Sequence, residues 1–329
     1  MSLNSPFLQI CPLARIVVML FVFFACLAKA SDGNQTQPSA EAVLSSVDNC
    51  IMDAPRCKAI ALKMQAEQPK YSRAWFRTTY LLLNAMWEID RLSIPREQIA
   101  AYAEIENSPA VFAAKAKTIY AKQLISDGDL EAGRRYADEA AALLLNMSGD
   151  ALTPRRYADV IELYQYLGEY DQAQQLIDQA MAHFSSIGRA FIKADLLMAA
   201  GHNAFHLKQW QQAIHWYQRA AEAHLTTKSF IGAAVSYANV GRALQSQGRW
   251  SEAQQAFIKS IDTYEQLQQD YPLRDKYYIV LRLCEVLIEQ GKTAEAWIAF
   301  NGLQRHSLHG YHHDLYDKLA RQLTQNPDR

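Results

Sequence analysis

One phrase recurs along this chain at a fixed interval, and it limits the fold more than any other feature. "GEYDQAQQLIDQA" (168–180), "KQWQQAIHWYQRA" (208–220) and "GRWSEAQQAFIKS" (248–260) each place an aromatic third, an alanine sixth and a bulky residue tenth. Gly128, Gly168, Lys208 and Gly248 follow one another at forty residues, and Gly291 comes forty-three later. The residues upstream also align: Ile161, Gly201, Gly241 and Cys284 stand twelve before Ala173, Ala213, Ala253 and Ala296. A period of this length marks a stacked array, in which no unit can bury its own apolar face alone.

Each unit reads as two helices. Tyr237, Val240, Gly241 and Leu244 recur at helical spacing, Gly248 interrupts, and Trp250, Ala253, Phe257 and Ser260 recur again. Gly248 suits the left-handed conformation that closes a helix with its last carbonyls satisfied. Gly241 and Ala253 let two backbones approach while Trp250 and Phe257 fill the space around the crossing. Cys284 takes the same close-approach position in its unit, so it reads as a small buried packing residue.

These residues resemble the tetratricopeptide repeat. The resemblance covers residues 108 to about 305 and is clearest in three units: Tyr157, Val160, Tyr164, Gly168, Tyr170, Ala173, Ile177 and Ala180; Leu197, Gly201, Trp210, Ala213, Tyr217 and Ala220; and Tyr237 through Ser260 as above. The first and fifth units depart from it, with Gly133 in place of alanine in the former and Thr293 and Leu303 in the latter. The period of forty is similar to the longer-repeat branch found in bacterial peptide-responsive regulators and kinesin light chains. It implies an all-α, right-handed superhelical solenoid of antiparallel helical hairpins, with an inner groove lined by the first helix of every pair. It further implies a non-catalytic scaffold that takes a protein or peptide in that groove.

The flanks read differently. Residues 16–28, "IVVMLFVFFACLA", are an uncharged apolar run after Arg15 and before Ala28-Lys29-Ala30. That pattern predicts a secretory signal over 1–30 and export, with the bacterial periplasm as the expected compartment. An uncleaved anchor and an acylated Cys26 remain as alternatives. A polar tether follows at 31–38, then a helical cap with a degenerate repeat at 39–107. After the array at 108–305, residues 306–329 form a His-rich loop and a last helix carrying the stripe Tyr311, Leu315, Leu319 and Leu323. Cys50 and Cys57 would lie about 10 Å apart on an unbroken helix. Asp53 and Pro55 between them suit a helix start, and a bend there would let the thiols pair; two buried free thiols are the alternative.

Composition excludes more than it selects. Half of the residues are hydrophobic, and 33 basic side chains face 34 acidic ones. Loss of Arg15 and Lys29 with the signal leaves 31 against 34, so nothing favours nucleic acid or an anionic membrane surface. No phosphate-binding glycine loop, zinc-protease helix or nucleophile elbow is present, and no enzyme activity or cofactor is expected. His202 and His206 share a helix face and suit either groove polarity or two ligands of a metal. "HSLHGYHHD" (306–314) suits either a solvated linker or zinc and copper.

The side of the first helices opposite the core positions supplies the expected groove lining: Lys115 and Lys122; Glu162 and Tyr166; Asp195, His202, Phe205 and His206; Asn239, Arg242 and Gln245; Arg282, Glu285 and Glu289. Its mixed charge would select register and partner. Asn239 matches one position of the family's clamp for a terminal carboxylate, but Arg242 stands where that clamp has asparagine, so a helix or extended segment fits better. The second reading is a ligand-sensing or metal-handling protein that feeds a separate signalling partner.

Overall fold

The computed structural model describes residues 39–89, 94–147, 153–187, 193–266, 274–308 and 310–324. The signal and tether expected at 1–38, and His309, lie outside them. Five helices make the N-terminal part: α1 (Ala40–Val43), α2 (Val47–Met52), α3 (Ala54–Glu67), α4 (Arg73–Ile89) and α5 (Arg96–Ala103). Five hairpins follow: α6 (Ala110–Ser126) with α7 (Leu130–Leu145), α8 (Pro154–Tyr166) with α9 (Tyr170–Ile187), α10 (Ala194–His206) with α11 (Trp210–Thr226), α12 (Phe230–Ser246) with α13 (Trp250–Tyr264), and α14 (Arg274–Glu289) with α15 (Thr293–Asn301). Two short 3-10 turns lead to α16 (His313–Thr324). The architecture is an all-α solenoid, and no strand occurs among the described residues.

The recurrent glycine is a chain reversal. Gly128, Gly168, Gly248 and Gly291 have φ between 69° and 87°, and Lys208 reaches the same region at 59°. In each turn the following amide donates back to a carbonyl five residues earlier, as in Arg249 to Leu244 at 3.0 Å and Gln209 to Ala204 at 2.8 Å. Two helices thereby meet with their end groups satisfied and no residues to spare. Lys228 copies the geometry between α11 and α12, with φ 57° and a bond from Ser229 to His224 of 2.9 Å. The reversal therefore also joins one unit to the next.

Small residues set the helix spacing. A Cβ on Gly241 would meet the Phe257 ring at 2.7 Å, and one on Gly201 would meet the Tyr217 ring at 2.5 Å. Ala213 and Ala253 beside them are wholly buried. Cys284 is buried as well, its thiol 3.5 Å from the Ala296 carbonyl, and burial pushes that thiol up to about 12. Each aromatic of Phe257's kind contributes about 1.5–3 kcal/mol when removed from water. The cores merge along the array: one spans the N-terminal helices to Leu163, the next runs from Ala114 to Ala200, and the last from Ala204 to Leu323.

The ends are closed in different ways. Asp53 caps α3, and Cys50 and Cys57 are joined as a disulfide with their Cα atoms 5.2 Å apart. An aromatic cluster of Trp75, Phe76, Tyr102 and Phe112 then joins α4 and α5 to the first hairpin. At the other end α16 buries Leu319 and Leu323 and packs Leu315 against the core. Its other side carries Asp314, Asp317 and Arg321, with Asp317 paired to Arg305 at 2.9 Å. No helix among the described residues is long and apolar enough to cross a membrane.

Candidate binding groove

Successive first helices bring their groove side chains into register because the repeat period returns each residue to its neighbour's level. Lys122 on α6 and Glu162 on α8 are forty residues apart and form an ion pair at 2.5 Å. The same ammonium lies 4.9 Å from the Trp87 ring centre and 5.2 Å from that of Tyr166. Lys122 is only 3% exposed, so the pairing is what makes its charge tolerable there. Gln165 on α8 donates to the Ala199 carbonyl of α10 at 2.8 Å. Gln245 on α12 reaches Glu285 on α14 at 3.4 Å, again forty residues away. Glu285 also pairs with Arg282 at 2.8 Å and with Lys318 of α16 at 3.6 Å.

The centre of the groove is built around one ring. The Arg242 guanidinium sits 5.1 Å from the Phe205 ring centre, crossing from α12 to α10. Phe205 is backed edge-on by Trp210 at 5.0 Å. The Asn239 carboxamide accepts from Arg242 at 3.2 Å, and no carboxylate lies within ion-pairing distance of Arg242 among the described residues. Next to it His206 stacks on Tyr170 with centroids 4.8 Å apart, its Nδ1 3.2 Å from the phenol oxygen. Desolvation against these neighbours, helped by the nearby Arg242 charge, holds His206 below the ordinary histidine value.

The expected lining is therefore not uniform. His206 and Glu289 are exposed, and Glu162, Tyr166, Asp195, His202, Phe205, Arg242, Gln245, Arg282 and Glu285 are half-buried. Lys115 is half-buried too. Asn239 differs from the expectation: at 6% exposure it is covered, because its side chain is turned to hold Arg242. His202 is bonded to the Tyr217 hydroxyl at 2.9 Å, which ties it to the second helix of its own unit. Burial raises that phenol well above its usual range. Asp195 acts on His224, whose burial lowers its pKa while the Asp195 charge partly restores it.

Sequence reasoning named these residues one by one and missed that they pair across units. The signal was present in the forty-residue offset of opposite charge at Lys122 and Glu162. The C-terminal segment also reaches α14: His312 stacks on Tyr278 at 3.9 Å, and Tyr278 accepts from Arg282 at 2.8 Å. His202 and His206 have different partners, and among the described residues no group of three or more His, Cys, Asp or Glu is placed to hold a metal ion.

Residues 193–266 match the family model described as Tetratricopeptide repeat. No curated protein sequence matches the chain significantly. Among solved structures, it superposes on a Rap protein complexed with competence and sporulation factor with TM-score 0.57 and 14% identity, covering 87% of this chain and 78% of that one. The Cut9–Hcn1 hetero-tetramer of the APC/C gives TM-score 0.55 at 13% identity, over 94% of this chain and 52% of that one. A signal transduction ATPase with a tetratricopeptide repeat sensor, from Pyrococcus horikoshii, gives 0.51 at 13% identity over 96% and 53%. At such identities these likenesses concern the fold.

Proposed function

We propose that this chain, a tetratricopeptide-repeat protein, is an exported, non-catalytic scaffold that binds a protein or peptide segment along its first-helix groove. The observation that carries the reading is Arg242. Lys122, Arg282 and Lys318 each have a carboxylate partner, whereas the Arg242 guanidinium rests on an aromatic ring with only a carboxamide beside it. An arginine held on a ring loses little freedom on binding and offers a fork for a carboxylate, the kind of anchor that dominates interfaces. A partner that places an acidic side chain there, next to an apolar one against Phe205, satisfies both. The Rap protein complexed with competence and sporulation factor supports a bound partner for such an array.

Export rests on the apolar run at 16–28 and on the disulfide, since such bonds persist in oxidising compartments. The periplasm fits both. Labelling of Cys50 or Cys57 in the native host without prior reduction would count against it.

The decisive experiment is site-specific photo-crosslinking in the native host with the probe at position 206, an exposed groove position beside Arg242 that leaves the arginine in place. A discrete protein adduct is expected, and Arg242→Glu or Phe205→Ala should weaken capture by tenfold or more, about 1.4 kcal/mol, with helicity unchanged. Capture that survives both substitutions refutes the groove.

A further inference from the structure

The near balance of charge over the whole chain hides an uneven distribution along it. Between residues 54 and 87, six basic side chains stand against one acid, Glu67. Without residues 1–30 the chain holds 31 basic and 34 acidic residues, so everything outside 54–87 holds 25 and 33. The hairpin of α3 and α4 is therefore a cationic end on an acidic array. At the opposite end, α16 carries Asp314, Asp317 and Arg321.

Four of the cations gather at the hairpin tip. Lys63 lies four residues before the end of α3 and Arg77 four after the start of α4, each about 6 Å from the turn at 1.5 Å per residue, with Lys70 and Arg73 between them. All four are exposed, and among the described residues none has a carboxylate within ion-pairing distance. Arg96 and Arg305, exposed as well, are each paired. Apolar side chains share the tip. The helix α3 buries Ala54, Cys57 and Ala61 and turns Ala59, Leu62 and Ala66 outward, with Leu62 44% exposed. Met64 and Tyr71 are 37% and 52% exposed. Tyr71 also holds a φ of 66°, the left-handed region in which a bulky residue is strained and glycine is not. Its ring meets Trp75 edge-on at 5.4 Å and has the Lys70 ammonium 5.0 Å from its centre, yet half of the residue faces water.

An occupant of this tip must bring spread negative charge to cations on long stems and also take up the apolar side chains that stand among them. A bilayer bearing anionic phospholipid does both. Lysine and arginine heads stay with the phosphates while their stems and the apolar residues enter the headgroup layer. A nucleic acid offers the charge, but its hydrated phosphates give Leu62 and Met64 nothing apolar to enter. We infer that the α3–α4 tip docks on an anionic membrane surface, its four cations on the headgroup phosphates and Leu62 inserted among them. This site is separate from the groove and does not depend on it.

The test is flotation with vesicles of phosphatidylglycerol and phosphatidylethanolamine. It uses protein lacking residues 1–30, which keeps every described helix and removes the apolar run at 16–28 as a source of binding. Binding is expected at about 50 mM salt, about tenfold weaker at about 0.3 M as the cations are screened, and absent on pure phosphatidylcholine. Lys63→Gln combined with Arg73→Gln should weaken it about thirtyfold, at about fivefold for each cation. Glu67→Gln removes the single acid and should tighten it about fivefold, a gain that damage to the fold cannot produce. Leu62→Asn should weaken vesicle binding and leave any binding of soluble poly-aspartate unchanged. Arg242→Glu should leave vesicle binding unchanged, which separates this site from the groove. The inference is overturned by no binding to the anionic vesicles, by equal binding to phosphatidylcholine, by binding that the double variant leaves intact, or by duplex DNA or poly-aspartate binding more tightly than the vesicles.

Discussion

Adding a single methyl group to Gly241 tests the packing logic of the whole array. A Cβ built there lies 2.7, 2.8 and 2.9 Å from three atoms of the Phe257 ring, where carbon–carbon contacts prefer about 3.5–4.0 Å. The ring must therefore retreat by about 1 Å, and it has nowhere to go, since Phe257 is 0% exposed. Overpacking of this kind costs about 1–3 kcal/mol. Against it stands the better helix propensity of alanine, worth about 0.8–1.0 kcal/mol. Gly241→Ala should thus destabilise by about 1 kcal/mol net, read as a lower midpoint in urea denaturation followed by circular dichroism.

The stronger prediction is the rescue. Phe257→Leu leaves a cavity of its own, but it frees the space that the new methyl needs, so in that background Gly241→Ala should be neutral or stabilising. The double-mutant cycle should then show a coupling of about 1–2 kcal/mol. Gly248→Ala is the contrast: its Cβ meets nothing closer than 3.9 Å, and the cost comes from a φ of 69°. Phe257→Leu should give it no rescue. A Gly241→Ala protein more stable than the parent by the propensity margin, or a cycle without coupling, would refute the close-approach argument.

Two further outcomes follow from the same geometry. Lys208 holds the left-handed position that glycine occupies in four sister turns, so Lys208→Gly should stabilise by up to about 1 kcal/mol, seen as a higher denaturation midpoint. His206 and His224 both have folded pKa values below the ordinary 6.5, so the unfolded chain takes up protons first on acidification. Their contribution is whole above about pH 6.5 and is lost as pH falls through the lowered folded values. Thermal melts should show Tm falling below that pH, and His224→Gln together with His206→Gln should flatten the slope; an unchanged slope would contradict the assignment.

The groove residues show where reading a chain alone reaches its limit. Lys122 and Glu162, or Gln245 and Glu285, were visible as polar residues on one helix side, and their offset of forty even matched the period. Which of them would be spent on each other depended on how first helices of successive units pack, as where Gln165 reaches the Ala199 carbonyl and Ser236 meets Met198. Arg242 is left without a carboxylate because Phe205, rather than an acid, faces it from α10, and Asn239 of its own helix takes one of its donors.

Residue spacing along the chain was sufficient for the hairpin, its period, the turn at each glycine and the burial of alanine at the crossing. Those features are local, because propensity, periodicity and turn chemistry act within about twenty residues of the chain. Only the folded array brings His312 onto Tyr278 and Asn203 back to Gln174. Such contacts depend on how each unit is rotated on the last, and that rotation is the summed result of many side-chain volumes at the interface, none of which carries a signature of its own.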